Sequence, residues 1–369
     1  GPLSVMAWGS DEDKSSLKAI VDAYSAEFPE VKIDFQSGDC AVDLAACEQL
    51  IAGGTMPDVV IPHNSGIALE SDLGILANLD PFIERDGLDM SRFAPAAVSG
   101  VQYNGSTWAL PMGYHIEVMY YNKDLFDAAG IDYTLSTDLV GYDAVNYGLW
   151  YDDVQFARVA LKHLEVARDL GVKKIVIGEC GHAHKALSVI ADRLLPGEQM
   201  IPRESSYTLL WDIVKSGKIK FNPAKNDFPV TLHDPCNVVR LMGVVQPQRE
   251  ILKAIFPPGR FREMTPHGVT NYCCGGGSGF AIMSSGNFTD WKRMVSGRKK
   301  LQQIVNALQG EMDPSVRKMV CAPCSNCKGQ IRDMLEHYEV YEKTGIWYTG
   351  MVELMVNAMV DQEKPFLDW

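Results

Sequence analysis

Six cysteines crowd into 92 residues of this chain: Cys236, Cys273, Cys274, Cys321, Cys324 and Cys327. One cysteine is followed after 36 residues by a vicinal pair, and after 49 more by Cys324-x-x-Cys327, with Cys321 one further x-x step upstream. Thiolate sulfur is the usual ligand of iron–sulfur clusters. A Cys-x-x-Cys that opens a helix presents two sulfurs on one turn, and the helix N-terminus favours the thiolate and a net-negative cluster. Two adjacent thiolates fit poorly around one tetrahedral zinc but can serve two irons or bridge them. Zinc held by four of the six, and free or disulfide-bonded thiols, are the other readings. Behind the pair, Gly275-Gly276-Gly277-Ser278-Gly279 permits positive φ and close backbone approach. Its amides could donate to sulfur as in an anion nest; the plainer reading is a flexible turn. No Gly-Lys-Ser/Thr follows, so this is not a Walker loop.

The elements that must position these sulfurs read as alternating strands and helices. Asp153 to Leu170 has helical periodicity, and Lys173 to Ile177 reads as a strand running into Cys180 and a helix from His182 to Leu195. Pro229 to Leu232 is a strand ending at His233-Asp234-Pro235-Cys236. Trp291 to Leu308 is a helix, Arg317 to Val320 a strand ending at Cys321, Ser325 to His337 a helix, and Met351 to Met359 a last helix. The alternation predicts parallel sheets with covering helices. Cys180, Cys236 and the Cys321 group each lie between a strand and a helix, where ligands collect in open α/β sheets. Because strand–Cys–helix occurs twice, two related halves are expected. Cys180, with His182 and His184 beside it, reads as a remote ligand, a substrate-facing thiol, or a buried thiol with capping histidines. His233 reads as a residue supporting the ligands or a hydrogen-bonded core histidine.

Before Asp132 the texture differs. Val5 to Trp8, Val31 to Phe35 and Asp58 to Ile61 read as strands, and Ser15 to Phe28 as a helix with Leu17, Ile20, Val21, Tyr24 and Phe28 on one face. The whole chain has 369 residues, 46% apolar and 22% charged, a globular composition with room for two or three domains. No run approaches the roughly 18–20 apolar residues of a membrane span. A net charge of -13 argues against non-specific nucleic-acid binding. The opening Gly1-Pro2-Leu3-Ser4 lacks the features of a signal peptide and reads like the scar of a cleaved tag. Cys40 and Cys47 stand alone.

His-Asp-Pro-Cys236, Tyr-Cys273-Cys274-Gly-Gly-Gly and Cys-Ala-Pro-Cys324-Ser-Asn-Cys327-Lys-Gly-Gln-Ile resemble the cysteine-rich CCG domain of heterodisulfide reductases, toward the DsrK-type subunits of sulfate reducers. The resemblance covers about Ala129 to Trp369. It implies a parallel-sheet, Rossmann-like domain of two halves, a degenerate one at 133–228 and a second at 229–369 carrying the cluster. It also implies one 4Fe–4S cluster, its geometry open to a noncubane or other atypical form, on Cys236, Cys273, Cys274, Cys324 and Cys327, with Cys321 as an extra metal candidate; Cys180, from its own place at a strand end, is the catalytic candidate. The implied activity is oxidoreductase chemistry in sulfur metabolism, reducing a disulfide or trisulfide on a small DsrC-like protein. Membrane-complex subunits would donate the electrons, and the location would be cytoplasmic, peripheral to the inner membrane. The Cys-x-x-Cys-x-x-Cys-x-x-x-Cys-Pro run usual upstream in that family does not occur in this chain.

Residues 1–132 resemble instead the N-terminal lobe of family 1 extracellular solute-binding proteins of ABC importers. The resemblance rests on Trp8-Gly-Ser, Met56-Pro57-Asp58-Val59-Val60, Leu76 to Phe82, Gly105 to Pro111 and Tyr120 to Phe126. It implies an extracytoplasmic lobe that binds sugar, with Trp8, Trp108 and Tyr114 as stacking aromatics or as core packing. The two resemblances disagree over compartment, so the chain reads as a fusion or an assembly chimera joined near Ala128–Asp132. A sugar-binding fragment on a metal-stabilised support, and a structural zinc domain, are the alternatives to the redox reading.

Overall fold

The computed structural model describes residues 1–7, 11–37, 49–62, 66–112, 126–127, 129–135, 153–190, 201–277, 291–363 and 367. These fall into two compact units, one among residues 1–118 and the other among residues 119–281 and 290–369. The fold is α/β throughout, with parallel sheets.

In the first unit, β1 (Leu3–Ala7) lies between β2 (Ile33–Ser37) and β3 (Val59–Val60), all parallel. Helix α1 (Asp11–Glu27) makes the crossover between β1 and β2. Asp58 accepts from both the amide and the hydroxyl of Ser4, at 2.9 and 2.7 Å, which pins the start of β3 beside β1. A small hairpin, β4 (Gln102–Tyr103) and β5 (Ser106–Thr107), turns at Asn104-Gly105, both with positive φ. Among the described residues the apolar face read from α1 is only partly covered: Leu17 and Val21 are half-buried, Ile20 is 60% exposed, and the rings of Tyr24 and Phe28 meet at a tilt at the surface. Among the described residues of this unit, Met6 packs with Leu50, Met56, Val60 and Ile75.

In the second unit, α2 (Asp153–Asp169) leads to β6 (Ile175–Ile177), which pairs in parallel with β7 (Arg203–Ser205). Helix α3 (Ser206–Ser216) follows, capped by the Ser205 hydroxyl and closed by Gly217 in the left-handed region. The second sheet has four parallel strands in the order β11 (Ile346–Thr349), β10 (Lys318–Cys321), β8 (Val230–Leu232), β9 (Phe261–Arg262). Between them run α4 (Gln246–Ile255), α5 (Arg298–Ala307) and α6 (Ser325–His337), and α7 (Met351–Ala358) follows β11. Two cores cover this sheet. Val230, Leu232, Met319 and Cys321 pack with α3, α4 and α7; Val320, Ala322 and Ile346 pack with α5 and α6. Residues alternate in period two between the cores, as strand geometry requires. Phe126, Ala129 and Ile131 join the first of these cores, and Lys218 Nζ donates to the Ala129 carbonyl at 2.7 Å.

The expected elements recur with shifted ends. The helix read from Trp291 to Leu308 is broken: a wider π-helical turn covers Trp291–Ser296 and the α-helix starts at Arg298. Gly297 separates them because a Cβ there would collide with Met334 and Gln330. The helix read from His182 likewise opens with one α-turn, Gly181–Ala183, and continues as a π-helix over His184–Ile190; residues 191–195 lie outside the described residues. Trp8, Cys40, Cys47, Tyr114 and Ala128 also lie outside them. Trp108 is half-buried, its indole N–H donating to the Tyr103 carbonyl at 3.0 Å, so it braces the hairpin. No helix among the described residues is long and apolar enough to cross a membrane.

Glu70, 6% exposed, has its carboxyl pushed up to about 7 by burial. With a folded value above the unfolded one, the native state binds the extra proton between them. Stability therefore falls as pH rises from about 4.5 to 7, and stays lower above that. Glu70→Gln is expected to leave thermal stability unchanged at pH 4 and to raise it at pH 8, by about 1 kcal/mol after allowing for solvent screening. Melting curves of both proteins at the two pH values check this.

Candidate metal centre

The four-stranded sheet reverses its winding between β8 and β10. From β8 the chain goes to β9 on one side, then returns to place β10 on the other. Loops leaving the carboxyl ends of two such neighbours diverge and leave a crevice, the usual ligand position in open α/β sheets. The register sets Leu232 level with Cys321, and the His233 amide donates to the Cys321 carbonyl at 2.9 Å. Cys236 and Cys324 therefore sit a few residues past the same sheet edge, each at the start of a helix.

The structure brings five of the predicted sulfurs into one row. The Cys236 thiol hydrogen-bonds with Cys273, and Cys273 with Cys274. Cys274 Sγ lies 3.3 Å from Cys327 Sγ, and Cys327 contacts Cys324. Hydrogen bonds from Cys236 and Cys274 push the Cys273 thiol down and the Cys236 thiol correspondingly up. Contact with Cys327 brings Cys324 down to about 7. Cys324 N-caps α6 and Cys327 lies in its first turn, so the helix dipole acts on both. Cys321 is not brought into the row. It ends β10, fully buried in the α3–α4–α7 core, and burial holds its thiol well above the usual range. Cys180 is half-buried and follows β6; its sulfur accepts from the Ala183 amide at 3.4 Å, while the next amide, of Gly181, donates to Cys324 Sγ at 3.3 Å. A side chain on Gly181 would come within 3.2 Å of that sulfur.

Gly275 and Gly276, directly after the vicinal pair, are sterically required. Gly275 has φ 85°, and its Cβ would fall 2.5 Å from the Ser296 carbonyl carbon; Gly276 is pressed against Gln330. The Gly275 amide donates to Cys273 Sγ at 3.3 Å, and the Ser296 hydroxyl donates to the Gly275 carbonyl at 2.8 Å. Ser278 and Gly279 lie outside the described residues.

Several residues that spacing did not single out hold this geometry. Asp234, 2% exposed, accepts from both terminal nitrogens of Arg249 at 2.8 and 2.7 Å and from the Gly268 amide at 2.6 Å. Arg240 donates to the carbonyls of Val269 and Asn271. Lys300, fully buried and pushed down to about 8 by burial, donates to the Asn271 side chain at 2.8 Å. Together these fix the loop that delivers Cys273 and Cys274. The Tyr207 hydroxyl donates to the Pro323 carbonyl, gripping the loop before Cys324. Glu179 accepts from the Met351 amide at 3.2 Å and pairs with Lys328, which also pairs with Glu353. The Glu179 carbonyl takes the Ser325 amide at 2.8 Å, so the loop after β6 satisfies an end group of α6. A buried pair such as Asp234–Arg249 could have been suspected from sequence only as acid and base at unrelated positions.

The histidines separate by role. His184, fully buried, bonds the Cys180 carbonyl at 2.7 Å and the Ser205 hydroxyl at 2.9 Å, a structural brace. His182 contacts Asn326 and lies 3.5 Å from where a Cβ on Gly277 would stand. His233 is fully buried, and its ring lies with Cys274 and Cys327 so that ligand atoms of all three are within 4.8 Å of one another. Soft sulfur donors in one row, buried at Cys274, Cys324 and Cys327, half-buried at Cys236 and exposed at Cys273, with amide donors around them, fit an iron–sulfur cluster by donor chemistry.

Comparison with known proteins finds two families in the chain. Residues 230–332 match the family model described as CCG, cysteine-rich domain, and residues 8–160 match that of the bacterial extracellular solute-binding proteins. The Hdr-like menaquinol oxidoreductase iron-sulfur subunit of Archaeoglobus profundus is 22% identical over 77% of this chain and 53% of its own length. A subunit of the dihydromethanophenazine:CoB–CoM heterodisulfide reductase of Methanosarcina mazei is 35% identical over 35% of this chain and 30% of its own. A Brucella abortus chain described as a binding protein is 30% identical over 35% of this chain and 34% of its own. The chain spans about half the length of the first of these relatives. Among solved structures, CpMnBP1 with mannotriose bound aligns with TM-score 0.28 and 25% identity over 40% of this chain and 37% of that one, too slight a likeness to argue from.

Asp234→Asn removes one charge from a buried pair, leaving Arg249 with Glu263 alone. The expected cost is about 3 kcal/mol in urea unfolding, with lowered metal retention because the loop to Cys273 loses its anchor. Unchanged unfolding and metal content would contradict the bracing role.

Proposed function

We propose that residues 133–369 act as an iron–sulfur electron-transfer subunit of heterodisulfide-reductase type, with 133–228 as a degenerate first half and 229–369 as the half that carries the cluster. The observation that supports this best is the row of five sulfurs at the diverging ends of β8 and β10. Cys236, Cys273, Cys274, Cys324 and Cys327 would hold one 4Fe–4S cluster, and Cys321 stays in the core. When bound, the cluster supplies electrons one at a time.

The substrate class is a disulfide or trisulfide, carried by a small DsrC-like protein. Reducing a disulfide consumes two electrons and two protons and releases two thiols. The electrons come from partner subunits of a membrane complex in which this chain takes the part of the DsrK-type subunit, at the cytoplasmic side of the inner membrane without spanning it. Within the chain, Cys180 is the thiol placed to meet an incoming disulfide, half-buried on the loop that also donates the Gly181 amide to Cys324. Residues 1–132 are read as a solute-binding lobe of separate origin, in keeping with the exposed stripe on α1. Its match to the solute-binding family, over residues 8–160, supports a solute-binding lobe at this end of the chain. Peptide mapping of natural material tests the junction: a single peptide crossing residues 126–140 would defeat an assembly artefact.

A zinc reading draws on the compactness of the His233, Cys274 and Cys327 set, which would suit one tetrahedral ion. Metal and sulfide analysis of anaerobically prepared protein decides between them. About four irons and four sulfides per chain are expected, lost in Cys274→Ser and Cys327→Ser and kept in Cys321→Ser. One zinc without sulfide would overturn the redox assignment.

A further inference from the structure

His233 stands directly after β8, its amide fixed in the sheet by the Cys321 carbonyl. Its side chain is fully buried, yet neither ring nitrogen has a hydrogen-bond partner among the described residues. Leaving a buried polar group unsatisfied costs about 1–3 kcal/mol, and such groups in folded proteins call for an explanation. The neighbouring histidines show the contrast: His184 bonds through both of its nitrogens and His182 contacts Asn326. Sulfur faces His233, since one of its nitrogens and the sulfurs of Cys274 and Cys327 lie within 4.8 Å of one another. Thiols are weak acceptors and weak donors, a poor environment for an imidazole unless something bound there takes up its lone pair.

We infer that His233 is a nitrogen ligand of the metal centre held by this row, a sixth donor beside the five cysteines. The inference rests on the iron–sulfur reading of the site. Imidazole nitrogen is a good ligand for iron. At this position a neutral donor leaves the cluster less negative than a thiolate there would, and so easier to reduce, as histidine-ligated centres illustrate. The strand geometry favours this: His233 cannot turn toward solvent, because the residues on either side are held in the β8 ladder and in the Asp234–Arg249 pair.

The test is pulsed electron paramagnetic resonance on the full chain. Protein labelled with 15N only in histidine is loaded anaerobically with iron and sulfide. A strong nitrogen coupling to the cluster is expected, retained in His182→Gln and lost in His233→Gln. In His233→Cys the reduction potential should shift to a lower value. Should His233→Gln fail to fold, the labelled wild type with the His182→Gln and His184→Gln variants still decides the point. A loaded wild-type cluster with weak nitrogen coupling or none overturns the inference while the iron–sulfur reading stands. Protein that takes up no iron and sulfide overturns both.

Discussion

The site depends on one pairing: β8 and β10 lie side by side and parallel although the chain visits β9 between them. Parallel neighbours point their carboxyl ends the same way, so two loops far apart in sequence open at one edge. Because the winding reverses there, the loops part instead of packing together, and the gap is lined by the residues just past each strand. In this chain those are His233 to Cys236 on one side and Ala322 to Cys327 on the other. Were the register shifted by one residue, Cys321 would exchange faces with Val320 and both cores would be broken. Hydrophobic burial on the two faces thus fixes the placement of the polar, sulfur-bearing edge.

Burial alone does not shape the long loop to Cys273 and Cys274. That loop is tied by ionic and polar anchors drawn inside the protein: Asp234 with Arg249, Arg240 to two carbonyls, and Lys300 to Asn271. Such groups are costly to desolvate and hold a conformation because every alternative leaves a charge unpaired. The Glu179–Lys328–Glu353 cluster does similar work on the other side, tying the loop after β6 to the starts of α6 and α7. Gly350 makes room for it, as any Cβ there would meet all three side chains.

Three stretches next to the site are π-helical, after Cys180, after Cys236 and before Gly297. Wider turns of this kind recur at functional sites, where they offset the phase of a helix relative to its neighbours. The helix read as continuous from Trp291 to Leu308 is interrupted for a local reason: Gly297 and Gly275 allow two backbones to meet where side chains would forbid it.

Residue type and spacing alone singled out the sulfur row as a metal or redox site. Vicinal cysteines, a Cys-x-x-Cys opening a helix and a glycine run are local features, and each has the same meaning wherever the chain folds. Alternating strands and helices likewise made an α/β fold with parallel sheets legible, since periodicity is local too. Tertiary structure decided which of three similarly spaced cysteines turns away. Cys321 looks equivalent to Cys324 and Cys327 in a Cys-x-x-Cys-x-x-Cys run, but it is the last residue of a strand whose alternation sends it into the opposite core. It also decided that His233 is buried without a hydrogen-bond partner among the described residues while His184 is braced at both nitrogens. Partnership in the interior is a property of distant residues meeting, and no local pattern encodes it.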